Sequence, residues 1–508
     1  VMLGVRELSQ DKLPANAKTW VNTKLKYTHG YGIAMSPVNE IAQEGLPVLF
    51  VKNIPPVSTI DLKVGTPQIY FGEQTNSYVI VDTRTKEFDY PMGKQNAETT
   101  YHGKNGVKVG TLGRRMVLAW VLKDYKMLLS SDVTPQSQIL LYRNIVERVN
   151  KVAPFLEYDG DPYAVIVSGK TYWVIDAYTT SSLYPYSEPS TRGYNYIRNS
   201  VKVVIDAYDG SMDFYLADPT DPVAQSYSRI FKGMFHPLQE LPTGLRSHLR
   251  YPEDLFKTQT EMYALYHMTD PQVFYNKEDK WSIPQEIFGS NLQREQLQAY
   301  YMIMKLPGET EPEYVLMLPF TPSTKENMIS WFCARCDGEN YGKLKVYDFS
   351  KQELIFGPMQ VESRINQNSE ISQLLTLWNQ QGSRVFRGNL LVIPINQSIL
   401  YIEPVYLQAE QSKIPELRRI IAIYNDKVAM EPNLGDALTR LFSNEEPATV
   451  VVPPGGESVK DLAESADLYF KRAQSAIQAG DWSGYGENMK KVEEILKQLV
   501  DASQKAVE

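Results

Sequence analysis

The string Val174-Ile175-Asp176-Ala177-Tyr178 returns thirty residues later as Val204-Ile205-Asp206-Ala207-Tyr208, and the second copy runs straight into Asp209-Gly210. Both copies read as strands. Asp-Gly between two such runs is the strongest short-range signal for a β-hairpin. A two-residue turn there predicts that Ala207 faces Met212, Ile205 faces Phe214, and Asp206 stands directly opposite Asp213. A chain with this feature must contain antiparallel sheet.

Two carboxylates directly across a strand pair repel, so something must offset them. The plain answer is solvent together with Lys202, which shares the face of Asp206. The alternative is a divalent cation held by Asp206, Asp209 and Asp213, with the echoed Asp176 nearby; calcium suits such hard oxygen clusters. No other cofactor is indicated. Asp159-Gly160-Asp161 forms an acidic turn but lacks the remaining positions of a calcium loop. Paired carboxylates also suit glycoside hydrolysis, where their separation decides the outcome.

Elsewhere the pattern alternates between helix and strand. Pro14 precedes a helical spacing of Trp20, Val21 and Leu25 that Gly30 and Gly32 stop. Proline-punctuated runs from Leu46 to Tyr90 read as edge strands and loops. Residues 112–129 predict a core helix with Met116, Trp120 and Leu128 on its inner face, and residues 143–153 predict a second with Ile145, Val149 and Val152. A helix opens at Pro252 with Glu253 and Asp254 in its first turn. Hairpin pairs are expected from Tyr300–Leu306 with Tyr314–Leu318, and from Leu390–Ile395 with Ile399–Tyr406, with a helix near Ile371–Trp378 between them.

Pro447, Pro453, Pro454, Gly455 and Gly456 mark residues 444–457 as a linker. Beyond it, apolar stripes on either side of Gly480 predict a helical hairpin like a single tetratricopeptide-type unit, which needs a surface to dock on. The expected organisation is an N-terminal α+β lobe (1–290), a second β-rich lobe (291–443), the linker, and the hairpin (458–508). The fold class is α+β, with mixed, mainly antiparallel sheets, packed helices and a C-terminal helical hairpin.

With 508 residues, 43% hydrophobic and 22% charged, the chain has ample material for such cores. A formal net charge of −8 gives neither nucleic acid nor an anionic lipid surface overall electrostatic support. Tyr outnumbers Phe, 33 to 17, which suits half-buried recognition surfaces and equally suits polar-faced sheets. Cys333 and Cys336 have the spacing of a metal or redox pair, but no second pair supplies the other two zinc ligands, so an incidental loop pair is expected. Walker, dinucleotide, nucleophile-elbow and zinc-protease signatures are absent. His29 and Tyr31, in Tyr27-Thr28-His29-Gly30-Tyr31-Gly32, sit where glycines would let a ligand approach the backbone.

Trp20-Val21-Asn22, Tyr27 to Gly32, Ser36-Pro37-Val38-Asn39 and Gly45-Leu46-Pro47 resemble the start of the soluble part of uncharacterised protein family 0182 (UPF0182). The likeness continues through Ile69-Tyr70-Phe71-Gly72-Glu73, Glu87-Phe88-Asp89-Tyr90-Pro91, Asp176-Ala177-Tyr178-Thr179-Thr180 and Asn195 to Lys202. It runs on through His248 to Phe256 and Gly388-Asn389-Leu390-Leu391. The resemblance implies large prokaryotic multi-pass membrane proteins of the cell envelope, with this portion outside the cytoplasm and an N-terminal membrane bundle beyond Val1. It adds Tyr178 and Arg198 to the positions worth testing as ligand contacts, alongside His29, Tyr31, Asp176, Asp206 and Asp213. It implies no activity. Two readings are compatible with these residues: an extracytoplasmic interaction or ligand-binding domain, with the membrane and a protein partner or second copy as partners; or an envelope hydrolase or transferase using the clustered Asp residues, with or without a divalent cation.

Overall fold

The computed structural model describes residues 1–443, apart from 43, 44, 291, 351, 353, 381, 396, 397 and 411–413, together with 469, 471 and 488–492. The chain divides into two compact units, Val1–Leu441 and Phe442–Glu508. The expected linker and nearly all of the expected C-terminal helical hairpin lie outside the described residues. The first unit contains every strand among the described residues.

Its N-terminal part is built from short strand pairs and turns, as the proline spacing predicts. The helix expected after Pro14 forms in two pieces, a single tight turn at Ala15–Ala17 and a helical stretch from Trp20 that widens over Asn22–Lys26, where the Tyr27 amide bonds to the Asn22 carbonyl five residues back at 2.8 Å. The widened stretch serves to bury Leu25.

The expected helix over 112–129 is split into α1 (Leu112–Val121) and α2 (Lys126–Leu129) by Lys123, whose φ of 52° is left-handed. Thr111 caps α1 by accepting the Arg114 amide. The inner face is the reverse of the expected one. Met127 is buried with Leu25, Ile80, Val109, Val133 and Ile139, with Leu118 and Leu122 packed against them, while Met116 and Trp120 point outward, Trp120 being 82% exposed. Helical spacing shows that a stripe exists but not which side of it meets protein. Helix α3 (Ile145–Val152) buries Ile145 and Val149 and leaves Val152 half-exposed.

A six-stranded sheet follows: β1 (Glu157–Tyr158), β2 (Tyr163–Val167), β3 (Lys170–Ser181), β4 (Tyr196–Asp206), β5 (Met212–Leu216) and β6 (Phe235–Pro237), with only β5 and β6 parallel. The two copies of the repeated string lie antiparallel to each other, Val174 facing Val204. The second copy remains strand only to Asp206; Ala207 and Tyr208 already belong to the turn. The loop is therefore longer than two residues, and the register moves: Ile205 faces Met212, Val204 faces Asp213 and Val203 faces Phe214. Gly210, at φ 71°, closes the loop against Phe71, whose ring lies 2.5 Å from where a Cβ would stand. Tertiary contact with Phe71 thus outweighs the local preference for a tight turn.

Helix α4 (Pro222–Ile230) is capped by Asp221, and α5 (Glu253–Tyr266) begins after Pro252 with two carboxylates in its first turn, as expected. A second sheet comprises β7 (Trp281–Ser282), β10 (Tyr300–Lys305), β11 (Pro312–Pro322), β12 (Ser330–Arg335) and β13 (Leu344–Asp348); β8 (Gln285–Phe288) and β9 (Gln293–Gln296) form a separate hairpin. After α6 (Pro358–Gln367) and α7 (Ser369–Trp378) comes a third sheet of β14 (Ser383–Arg387), β15 (Leu391–Ile395), β16 (Ser398–Ala409), β17 (Glu416–Tyr424) and β18 (Lys427–Glu431). Both expected hairpin pairs form, as β10 with β11 and β15 with β16. The fold is α+β with mainly antiparallel sheets. Its largest core draws Tyr178, Tyr251 and Phe256 together with Phe332, Ile365, Val405 and Ile421, and so joins residues from both sides of position 290.

Candidate functional site

His29 is buried. Its Nδ1 lies 2.9 Å from the Gly30 carbonyl, and its Nε2 has no hydrogen-bond partner, the nearest carboxylate oxygen, on Asp89, being 3.8 Å away. Burial pulls the imidazole down to about 4, so the ring is neutral and Nδ1 carries the proton. Tyr31 packs its ring 5.0 Å from Tyr90, and burial raises its phenol to about 12. Beneath them Arg143, pulled down to about 10 by burial, donates to the carbonyls of Tyr70, Ser77 and Thr28. Glu87 accepts from the hydroxyls of Thr28 and Tyr70 and from the Tyr101 amide. Both carboxylate oxygens of Glu87 are occupied, which marks this centre as a structural pin for an irregular segment.

Asp176 and Tyr178 come together with residues from much later in the chain. Asp176 lies across from Lys202 in the β3–β4 register, and the two form a fully buried ion pair. The Lys202 ammonium also donates to the Tyr341 hydroxyl at 2.5 Å, and that hydroxyl donates to the Arg250 carbonyl at 3.2 Å. The Arg250 guanidinium lies between the rings of Tyr163 and Tyr301, 4.2 and 4.9 Å from their centres, and pairs with Asp161. Tyr178 donates to Asp159, which also accepts the Asp254 amide at the start of α5. For Glu253 beside it, burial, and then the neighbouring Asp161, push the carboxyl up to about 7.

The remaining predicted residues stay apart. Asp206 does not face Asp213. Its carboxylate accepts the Tyr208 and Asp209 amides of its own turn, with Lys170 at 3.6 Å, while Asp209 accepts the Ser211 amide. Asp213 is exposed opposite Val204. Lys202, expected to offset Asp206, serves Asp176 instead. Arg198 pairs with Asp218 and donates to Thr220 at 2.9 Å. Among the described residues no three His, Cys, Asp or Glu side chains gather so as to hold a metal ion. Cys333 lies within β12 and Cys336 just beyond it; both are buried free thiols, pushed up to about 12 and 11 by burial. Neither is a reactive thiolate.

Two neighbouring clefts flank the β8–β9 hairpin and share Phe288 and Glu295 in their walls. The first, about 330 Å³, is lined by Leu297, Tyr300, Leu390 and Glu286, whose carboxylate is held by the Asn389 side chain and the Leu390 amide. The second, about 460 Å³, is lined by Phe386, Gly388, Tyr406 and Pro415. Arg387, which also borders this cleft, binds Glu362 and Glu403, all three almost wholly out of water. Two carboxylates share one guanidinium there, so burial and the second carboxylate push Glu362 up to about 8. These clefts have the size and mostly apolar walls of small-ligand sites.

The sequence profile described as uncharacterised protein family UPF0182 matches residues 1–378. A UPF0182 protein of Pelotomaculum thermopropionicum is 56% identical over 513 residues, covering 99% of this chain and 56% of its own length. The chain belongs to this family. Another UPF0182 protein, from Desulforamulus reducens, is 53% identical over 520 residues, and one from Geobacter sulfurreducens is 50% identical over 505. Their coverage is 99% and 98% of this chain and 56% of each relative, so the chain spans about half the length of these curated UPF0182 proteins. No solved structure matches. Among the described residues of this UPF0182 chain, no helix is long and apolar enough to cross a membrane.

The sequence did not single out Arg250, Tyr341 or the Glu362–Arg387–Glu403 group, and it marked Asp159 only as part of an acidic turn. Lys202 left a signal, as a cation inside the apolar run from Val201 to Ile205. The others lie far in the chain from the groups they meet, and pairing across 16 to 139 positions leaves no local pattern.

Proposed function

We propose that this UPF0182 chain is an extracytoplasmic interaction or ligand-binding domain of a multi-pass envelope membrane protein. The observation behind this reading is the contrast between its carboxylates and its clefts. Asp176 and Asp206 are bound within the fold and Asp213 stands apart from them, whereas the paired clefts beside β8–β9 offer open, mostly apolar walls with few polar groups. Recognition fits this arrangement better than acid–base chemistry does. The half-length match to the curated relatives leaves room for a membrane region elsewhere in the protein.

Topology can be tested with a Tyr275→Cys variant of the whole protein, because Tyr275 is exposed while Cys333 and Cys336 are buried. A membrane-impermeant maleimide should label the variant in intact cells; labelling only after permeabilisation rejects the extracytoplasmic placement. For the clefts, a fragment set read by thermal shift should give hits that Phe288→Ala weakens. Hits indifferent to Phe288 would remove the clefts as the binding site.

A further inference from the structure

We propose that the outward face of α1–α2 docks on the surface of a lipid bilayer bearing anionic headgroups. Met116, Val117, Trp120 and Val121 follow one another at helical spacing along α1 and all point into solvent. Leu112 begins the stripe, and Tyr125 and Leu129, the latter 78% exposed, continue it past the break at Lys123. The opposite side of the same helices is anchored: Leu118 and Leu122 pack on the core that buries Met127. The apolar face is therefore held rigidly outward, with a shallow groove of about 630 Å³ between Met116, Trp120, Tyr125 and Leu128. Contiguous exposure of this kind on a folded surface marks an interaction site.

Charge identifies the occupant. Exposed Lys108, Arg114, Lys123 and Lys126 flank the stripe in the chain, Arg115 being turned inward to the Val133 carbonyl, and the single carboxylate among them, Asp124, is bound by the Trp20 indole at 2.7 Å and by the Tyr78 hydroxyl. The whole chain carries −8, so this patch opposes the overall balance. A second copy seated face to face would set one basic rim against another, which disfavours self-association through it. An apolar face carrying Trp and Leu, rimmed by Lys and Arg, matches an element lying in the headgroup–acyl boundary of an anionic bilayer. The inference is independent of which side of the membrane the domain occupies.

The test uses the 508-residue chain in flotation with phosphatidylcholine vesicles, with and without phosphatidylglycerol. The chain should float with the mixed vesicles, less so as salt rises. Trp120→Glu, at an exposed position that leaves the core intact, should reduce partition by about tenfold or more. Arg114→Glu with Lys123→Glu should abolish the preference for phosphatidylglycerol. Brominated lipid should quench the fluorescence of the bound chain, and quench it less in Trp120→Phe. No flotation, or flotation equal in Trp120→Glu, overturns the proposal. So does sedimentation showing a dimer that Trp120→Glu dissociates, because the face would then belong to a second copy.

Discussion

Asp176 and Lys202 face each other from adjacent strands with both charged groups almost wholly removed from water. Lys202→Met leaves the Asp176 carboxylate buried without its cation and should cost about 3–5 kcal/mol of unfolding free energy. Asp176→Asn combined with Lys202→Met should recover much of that loss in a denaturant titration, since neither partner is then left charged. A double variant no more stable than Lys202→Met would refute the pair as the source of the loss.

The Glu362–Arg387–Glu403 group should make stability fall as pH rises toward about 8. Glu362 binds its proton more tightly in the folded chain, at about 8, than in the unfolded chain, near 4.5. Its contribution is therefore complete below the unfolded value and is lost as pH rises through about 8. Between about pH 6 and pH 9 the unfolding free energy should drop by about 2–3 kcal/mol from this source, and Glu362→Gln should flatten that slope. An identical slope in the variant contradicts the assignment.

Gly210→Ala should destabilise by about 2–4 kcal/mol, combining a left-handed backbone with a Cβ driven into the Phe71 ring. Gly93 has φ 57° and open space around the same position, so Gly93→Ala should cost only about 1 kcal/mol. Comparable losses at the two sites, measured by urea unfolding, would mean that the Phe71 contact contributes nothing.

Elements were legible wherever a local period met a local stop signal: β3 and β4 from alternation, α5 from Pro252 and its acidic first turn, and the β10–β11 and β15–β16 hairpins from paired apolar runs. The Asp206–Asp213 register was not. Asp209-Gly210 suggests a two-residue turn, and the Phe71 ring that closes the longer loop comes from far earlier in the chain. The α1–α2 face failed for another reason: an apolar stripe at helical spacing predicts burial only if protein covers it, and here Leu118 and Leu122 do the anchoring while Trp120 does not. Of the candidate site residues, Asp176 and Tyr178 share a neighbourhood because one strand carries both. His29 and Arg198 lie in environments of their own.

Asp221 caps α4, and its carboxylate is also the meeting point of the hydroxyls of Thr179 on β3 and of Tyr196 and Ser200 on β4. Those hydroxyl bonds exist only once the two strands are in register. The bonds from the Val223 and Ala224 amides are local to α4, whereas those from the three hydroxyls need the strand pair closed, so the long-range part of what Asp221 contributes is expected to form late. Asp221→Ala should accordingly speed unfolding far more than it slows folding, the kinetic signature of a contact absent from the transition state.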